Sequence, residues 1–87
     1  FIVLDERGGE LDTLTYANFL QKKMLIYSDI IFLVGNAYGI SKKILNNSDY
    51  LLSISKMTFT HLISRLILIE QTYRAFTILN HHPYHHE

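Results

Sequence analysis

The chain contains no cysteine and no tryptophan, a single proline and four glycines. Without thiols there is no disulfide to staple a small core, no thiolate nucleophile and no sign of an oxidising compartment. So little Pro and Gly excludes a linker or a low-complexity chain. An excess of one charge is also missing: eight Lys and Arg balance eight Asp and Glu. Net charge therefore calls for no polyanionic partner, and the pairs Lys22-Lys23 and Lys42-Lys43 read as solvated faces, although they could touch phosphates. The run Leu66 to Ile69, bracketed by Arg65 and Glu70, falls far short of the about 20 apolar residues a bilayer span requires. The opening residues do not read as a secretory leader, so the cytoplasm is the expected location and no membrane is implied.

What is present is a compact composition: 48% of the 87 residues are hydrophobic. One domain over residues 1–87 is the ceiling. A core of this size only just offsets the ordering entropy of its chain, and no disulfide tips the balance, so association into a dimer is expected.

Phe1-Ile2-Val3-Leu4 reads as a buried strand ended by a turn over Asp5-Glu6-Arg7-Gly8-Gly9. The chain is expected to begin inside a fold, with an N-terminal portion missing. Asp12 or Thr13 can cap a helix to about Leu25, with Tyr16, Phe19, Leu20 and Lys23 at helical spacing and a polar opposite face. Asp29 to Val34 is β-branched and aromatic without alternation, the pattern of a central parallel strand. Gly35-Asn36-Ala37-Tyr38-Gly39 then supplies a candidate ligand loop, and Ser41 is placed to cap a short helix to about Asn46. Tyr50 to Ser53 forms a third strand, followed by the hydroxyl-rich Ser55-Lys56-Met57-Thr58. Thr58 or Thr60 can cap a long helix to about Leu79, whose residues Ile63, Leu66, Ile67, Ile69, Tyr73, Phe76 and Leu79 form a broad stripe suited to a core or a dimer contact. Pro83 cannot continue that helix, so the tail is expected to fold away. Strands alternating with helices indicate an α/β fold with a parallel sheet and ligand loops at the carboxyl ends of the strands.

All five histidines lie after residue 60, four of them around Pro83. Zinc favours fixed Cys or His spacing, and adjacent histidines on a tail resemble a purification tag as much as a site, so no metal is expected. Ser53, His61 and Glu70 could be assembled into a hydrolytic set. No Gly-x-Ser-x-Gly elbow occurs, however, and Glu70 lies more than two helical turns from His61. Arg65 reads as a solvated helix face, whereas Arg74, next to the tail, could hold an anion.

The Ser-x-Ser-x-Met-Thr loop at Ser53 to Thr58, the Glu-Gln-x-Tyr-Arg-Ala block at Glu70 to Ala75 and the terminal His82-Pro83-Tyr84-His85 carry a resemblance. Taken with Leu-Asp-Glu-Arg-Gly at Leu4 and Phe-Leu-Val-Gly at Phe32, they make nearly the whole chain similar to the RlmH family of ribosomal RNA methyltransferases in the SPOUT superfamily. The resemblance implies an α/β fold with a C-terminal trefoil knot, a homodimer, and S-adenosylmethionine as methyl donor to ring nitrogen 3 of a pseudouridine in large-subunit ribosomal RNA. It places the cofactor against Leu4, Gly35, Ile54, Ser55, Lys56, Met57, Thr58 and Phe59, and puts His61, Arg74, Tyr84 and His85 at the methyl-transfer site. The chain departs from the family pattern at Asn36, Tyr38 and His86. It matches the C-terminal part of the family domain, so the other reading is a non-catalytic fragment that only binds cofactor or dimerises.

Overall fold

The computed structural model describes residues 1–34 and 41–85. Six elements follow in order: β1 (Ile2–Glu10), α1 (Thr13–Ile26), β2 (Phe32–Val34), α2 (Lys42–Asn46), β3 (Tyr50–Ser53) and α3 (His61–Leu79). The three strands form one sheet in the order β2-β1-β3, and both pairings are parallel. The expected α/β class with a parallel sheet is therefore what the chain adopts. The central strand is β1 rather than the segment ending at Val34, which pairs only over Phe32–Val34 at the edge. Burial explains the difference: Ile2, Val3 and Leu4 are buried, whereas Phe32, Leu33 and Val34 are only partly so.

The helices start where hydroxyl or carboxylate side chains cap them. Asp12 accepts from the Thr15 amide, Ser41 from Ile44 and Thr60 from Ile63, each satisfying an amide that the first turn leaves without a helical partner. The α1 and α3 helices pack on the sheet through Tyr16, Ala17, Leu20, Leu68 and Ala75, which meet Ile2, Leu4 and Leu52 in one core. Both alanines are fully buried, so at these positions the helix backbones approach without an intervening long side chain. Above them the Tyr16 hydroxyl bonds Thr72 Oγ1 at 2.8 Å and Thr13 Oγ1 donates to Gln71 at 2.9 Å. Burial raises the Tyr16 pKa above that of a free phenol.

Three sequence expectations are met only in part. The far face of α1 is polar at Thr15, Asn18, Gln21 and Lys22 but turns apolar in its last turn, where Leu25 is 83% and Ile26 71% exposed. On α3 the core is met by Leu68 and Ala75, with Leu79 of the expected stripe packed against it, while Leu66, Ile69, Tyr73 and Phe76 of that stripe point outward and so are not core. Periodicity identified apolar positions but could not say which of two apolar faces the sheet would cover. Finally, α3 ends at Leu79 as expected, but the course of the tail beyond it differs. His82 N donates to Thr77 O and His81 N to Ile78 O, with His81 at φ 58°. This is a left-handed helix stop filled by a non-glycine residue. It reverses the chain, so the tail returns to α3 instead of leaving it.

Candidate functional site

The registers set Leu4 of β1 level with Val34, the last residue of β2, and set Glu10, the last residue of β1, level with Ser53, the last residue of β3. The segments that follow Leu4 in β1 and Ser53 in β3 therefore lie at one edge of the sheet. Gly35, the rest of the loop to residue 40, and His86 and Glu87 lie outside the described residues.

After Leu4 the chain does not turn away, as its sequence suggests, but remains assigned to β1 through Glu10. Leu4 and Gly9 both pair with Leu52, so the segment between them advances while β3 does not. A side-chain fork holds this excursion. Asp5 accepts from the Arg7 amide at 2.9 Å and from the guanidinium Nε and Nη2 at 2.8 Å each, and Arg7 keeps the Asp5 pKa below the usual carboxylate range. Gly8 then lies against the β3 backbone. A Cβ there would sit 2.5 Å from Leu51 O, so only glycine fits.

Of the residues expected to hold the cofactor, Leu4 is buried and Ile54 is packed against the core. The loop after β3 is folded by its own hydroxyls: Ser53 Oγ donates to Ser55 O at 2.9 Å, and the Met57 amide donates to Ser55 Oγ at 3.0 Å. Thr58 Oγ1 donates to Glu6 at 2.7 Å, joining this loop to the excursion in β1. Lys56, Met57, Thr58 and Phe59 are exposed around the bend. Leu4 and the span from Ile54 to Phe59 thus form one neighbourhood. The hydroxyl of Ser53, a conceivable nucleophile, is committed to a backbone carbonyl.

A cavity of about 310 Å3 adjoins this edge, bounded by Leu52, Ser53 and Ile54, by Thr13 and Tyr16 on α1, and by Leu68 and Gln71 on α3. Among the described residues, Ile54 is the one member of the expected cofactor set that lines it. The cofactor set and the cavity therefore share a wall rather than coincide.

The second neighbourhood is built by the returning tail. Arg74 Nε donates to Glu70 Oε1 at 2.8 Å, its Nη2 lies 2.6 Å from the same oxygen, and its Nη1 lies 3.1 Å from His85 Nδ1. The guanidinium also sits over the Tyr84 ring at 4.8 Å, and Tyr84 meets Tyr73 edge-on at 4.9 Å. Three of the four expected catalytic residues, Arg74, Tyr84 and His85, are thereby brought together. His61 is not with them. It opens α3, thirteen residues before Arg74, or about 20 Å along the axis at ~1.5 Å per residue.

Sequence reasoning missed Glu70 as part of this cluster. Its signal was available, since Glu70 and Arg74 stand four residues apart on one helix with the acid first, the favourable order for such a pair. Arg74 lowers the Glu70 pKa from its ordinary value. A carboxylate whose folded pKa is depressed adds stability above its unfolded pKa, and that contribution is lost as pH falls through the folded value. Tail docking is accordingly expected to persist at neutral pH and to weaken below the ordinary glutamate range. The readout is exchange protection of the His82 amide followed downward from pH 7; protection unchanged to pH 3 would remove Glu70 from the docking.

A parallel sheet with capped helices, whose strand ends gather one loop neighbourhood, defines an α/β domain of the kind that binds ligands at the carboxyl ends of its strands. The family model described as "Predicted SPOUT methyltransferase" matches residues 1–85, and the chain belongs to that family. It is 46% identical over 87 residues to "Ribosomal RNA large subunit methyltransferase H" of Parabacteroides distasonis and 48% identical over 87 residues to the protein of that name in Porphyromonas gingivalis, covering 99% of this chain and 55% of each relative. A relative of the same name in Malacoplasma penetrans is 45% identical over 84 residues, covering 97% of this chain and 54% of that protein. The chain spans about half the length of the curated relatives it matches.

Proposed function

We propose that the chain is the methyl-transfer portion of a ribosomal RNA methyltransferase that uses S-adenosylmethionine, works as a homodimer with a knotted C-terminal segment, and methylates ring nitrogen 3 of a pseudouridine in large-subunit ribosomal RNA. The observation that carries this reading is the matching of nearly every residue here to relatives of one name. The geometry supports it. Ile54, partly exposed and backed by the buried Leu4, offers apolar surface beside a hydroxyl-rich loop pinned to β1, which fits a nucleoside with a charged tail, and the tail cluster combines a cation, a ring face and an imidazole.

When bound, S-adenosylmethionine supplies a methyl group already activated by its sulfonium. The protein's remaining tasks are alignment and proton removal. Leu4, Gly35 and the span Ile54, Ser55, Lys56, Met57, Thr58 and Phe59 hold the cofactor. Tyr84 and His85 hold the target base, and Arg74 favours the negative charge that develops when the imide proton leaves. His61 or solvent accepts that proton. Because His61 and Arg74 occupy opposite ends of one helix, they serve one site only if two copies contribute to it. An antiparallel pairing of two α3 helices sets the first turn of one level with the last turns of the other.

The test is methylation of large-subunit RNA in ribosomes by the natural full-length protein, with S-adenosylmethionine binding followed by calorimetry. Binding without methylation would leave a cofactor-binding module, and neither activity would leave a dimerisation module. Within an active protein, Arg74→Ala is expected to lower the single-turnover rate by about a hundredfold, the order found when a charge-stabilising donor is removed. Cofactor affinity should be unchanged. A variant retaining the full single-turnover rate would take Arg74 out of the chemistry.

A further inference from the structure

Resting on the proposed role of the tail, we infer that Glu70 is a positioning residue which, by clamping Arg74, fixes the ring tautomer and orientation of His85. The Arg74 guanidinium sets what its partners must do. It carries five N–H donors and no acceptor, and stays protonated at any relevant pH. Any ring nitrogen bonded to it must therefore accept. His85 Nδ1 lies 3.1 Å from Arg74 Nη1, so Nδ1 carries no proton there. The ring proton then resides on Nε2, from which it can be donated to a carbonyl of the target base.

This assignment holds only while Arg74 points at the tail. Arginine has many rotamers, and an unrestrained one would not present a single nitrogen to His85. Two of its nitrogens meet Glu70 Oε1, at 2.8 and 2.6 Å. Glu70 is itself held, because its Oε2 accepts from Gln71 Nε2 at 2.8 Å. Gln71 in turn receives Thr13 Oγ1 at 2.9 Å, so the orientation is referred back to the first residue of α1. The chain of contacts runs from α1 through Gln71, Glu70 and Arg74 to the imidazole. Tyr84 is fixed by the same guanidinium through its ring face at 4.8 Å.

Glu70 touches neither methyl donor nor base in this arrangement; it acts on His85 through Arg74, and it also accepts from the Tyr84 hydroxyl at 3.5 Å. Glu70→Gln keeps the shape and removes the charge, whereas Glu70→Asp keeps the charge and shortens the arm. Both should fold, since the Glu70 side chain is 34% exposed. The decisive readout is the 15N signature of the His85 side chain in the full-length protein, without RNA. The parent is expected to show one tautomer with Nε2 protonated. Glu70→Gln should show averaging of the two tautomers, and Glu70→Asp should restore part of the parent signature.

In single-turnover methylation, Glu70→Gln should slow transfer by about a hundredfold at unchanged cofactor affinity, the scale associated with a misaligned reacting group. An unaltered His85 signature in Glu70→Gln would overturn the positioning role, whatever the rates. A changed signature with an unchanged methylation rate would also overturn it. If the parent methylates no ribosomal RNA, the reading of the tail has failed instead, and the His85 signature still decides whether Glu70 sets the ring.

Discussion

Replacing Gly8 by alanine is expected to lower stability by a net of more than about 2 kcal/mol; the steric clash itself costs about 3 kcal/mol, near the top of the range for forcing extra atoms into a packed site. The new Cβ would meet Leu51 O at 2.5 Å, Leu51 C at 2.6 Å and Leu52 N at 2.9 Å. All three are backbone atoms of β3, so no rotamer change relieves the clash. The loss of unfolded-state freedom on going from Gly to Ala returns roughly 0.4–1 kcal/mol, which leaves a net cost of over 2 kcal/mol. For a domain of this size that corresponds to a fall in Tm of roughly 10–20 °C at fixed protein concentration. Gly9 is the internal control. A Cβ there would meet the Tyr50 hydroxyl at 2.8 Å, the far end of a side chain that can swing, so Gly9→Ala should cost about 1 kcal/mol or less. Equal melting temperatures for the two variants would show that β1 does not run against β3 as described.

The same position shows what a sequence can and cannot reveal. A glycine pair after an apolar strand announces a turn, and a tight local fold does occur there, organised by the Asp5–Arg7 fork. That the chain then rejoins β3 at Leu52 depends on a partner strand more than forty residues away, and no local pattern encodes it. The caps were legible because each is a contact within one turn: Asp12, Ser41 and Thr60 each stand three residues before the amide they accept from. The loop from Ser53 to Thr58 was legible by resemblance, and its hydroxyls do fold it. The tail was half legible. Pro83 signals that a helix cannot continue, but the reversal occurs earlier, at His81, in a conformation that a non-glycine side chain rarely adopts. Only that reversal returns Tyr84 and His85 to Arg74.

The outward face of α3 carries the second large expectation. Leu62, Leu66, Ile69, Tyr73 and Phe76 recur at alternating steps of four and three residues, the spacing of a seam between two helices. They are 63, 63, 66, 53 and 42% exposed, while the core is met by Leu68 and Ala75 on another face. Such a row is costly to leave in water, and under the proposed homodimer a second α3 covers it. In a two-fold pair every residue appears twice, so Leu66→Glu with Ile69→Glu would place four carboxylates in the seam and remove four aliphatic side chains. Partial burial of each aliphatic is worth about 1 kcal/mol or more, and unpaired carboxylates resist burial further. The combined loss exceeds about 4 kcal/mol, a weakening of at least a thousandfold. Sedimentation of the double variant should therefore show monomers at micromolar concentrations where the proposed homodimer requires the parent to sediment as a dimer, with helical content retained because neither side chain enters the core. Methyl transfer should disappear with the dimer if His61 of one copy and Arg74 of the other share a site. A monomeric variant that still transfers methyl at the parent rate would place the whole reaction within one chain and leave His61, a helix-length from Arg74, without a part in it.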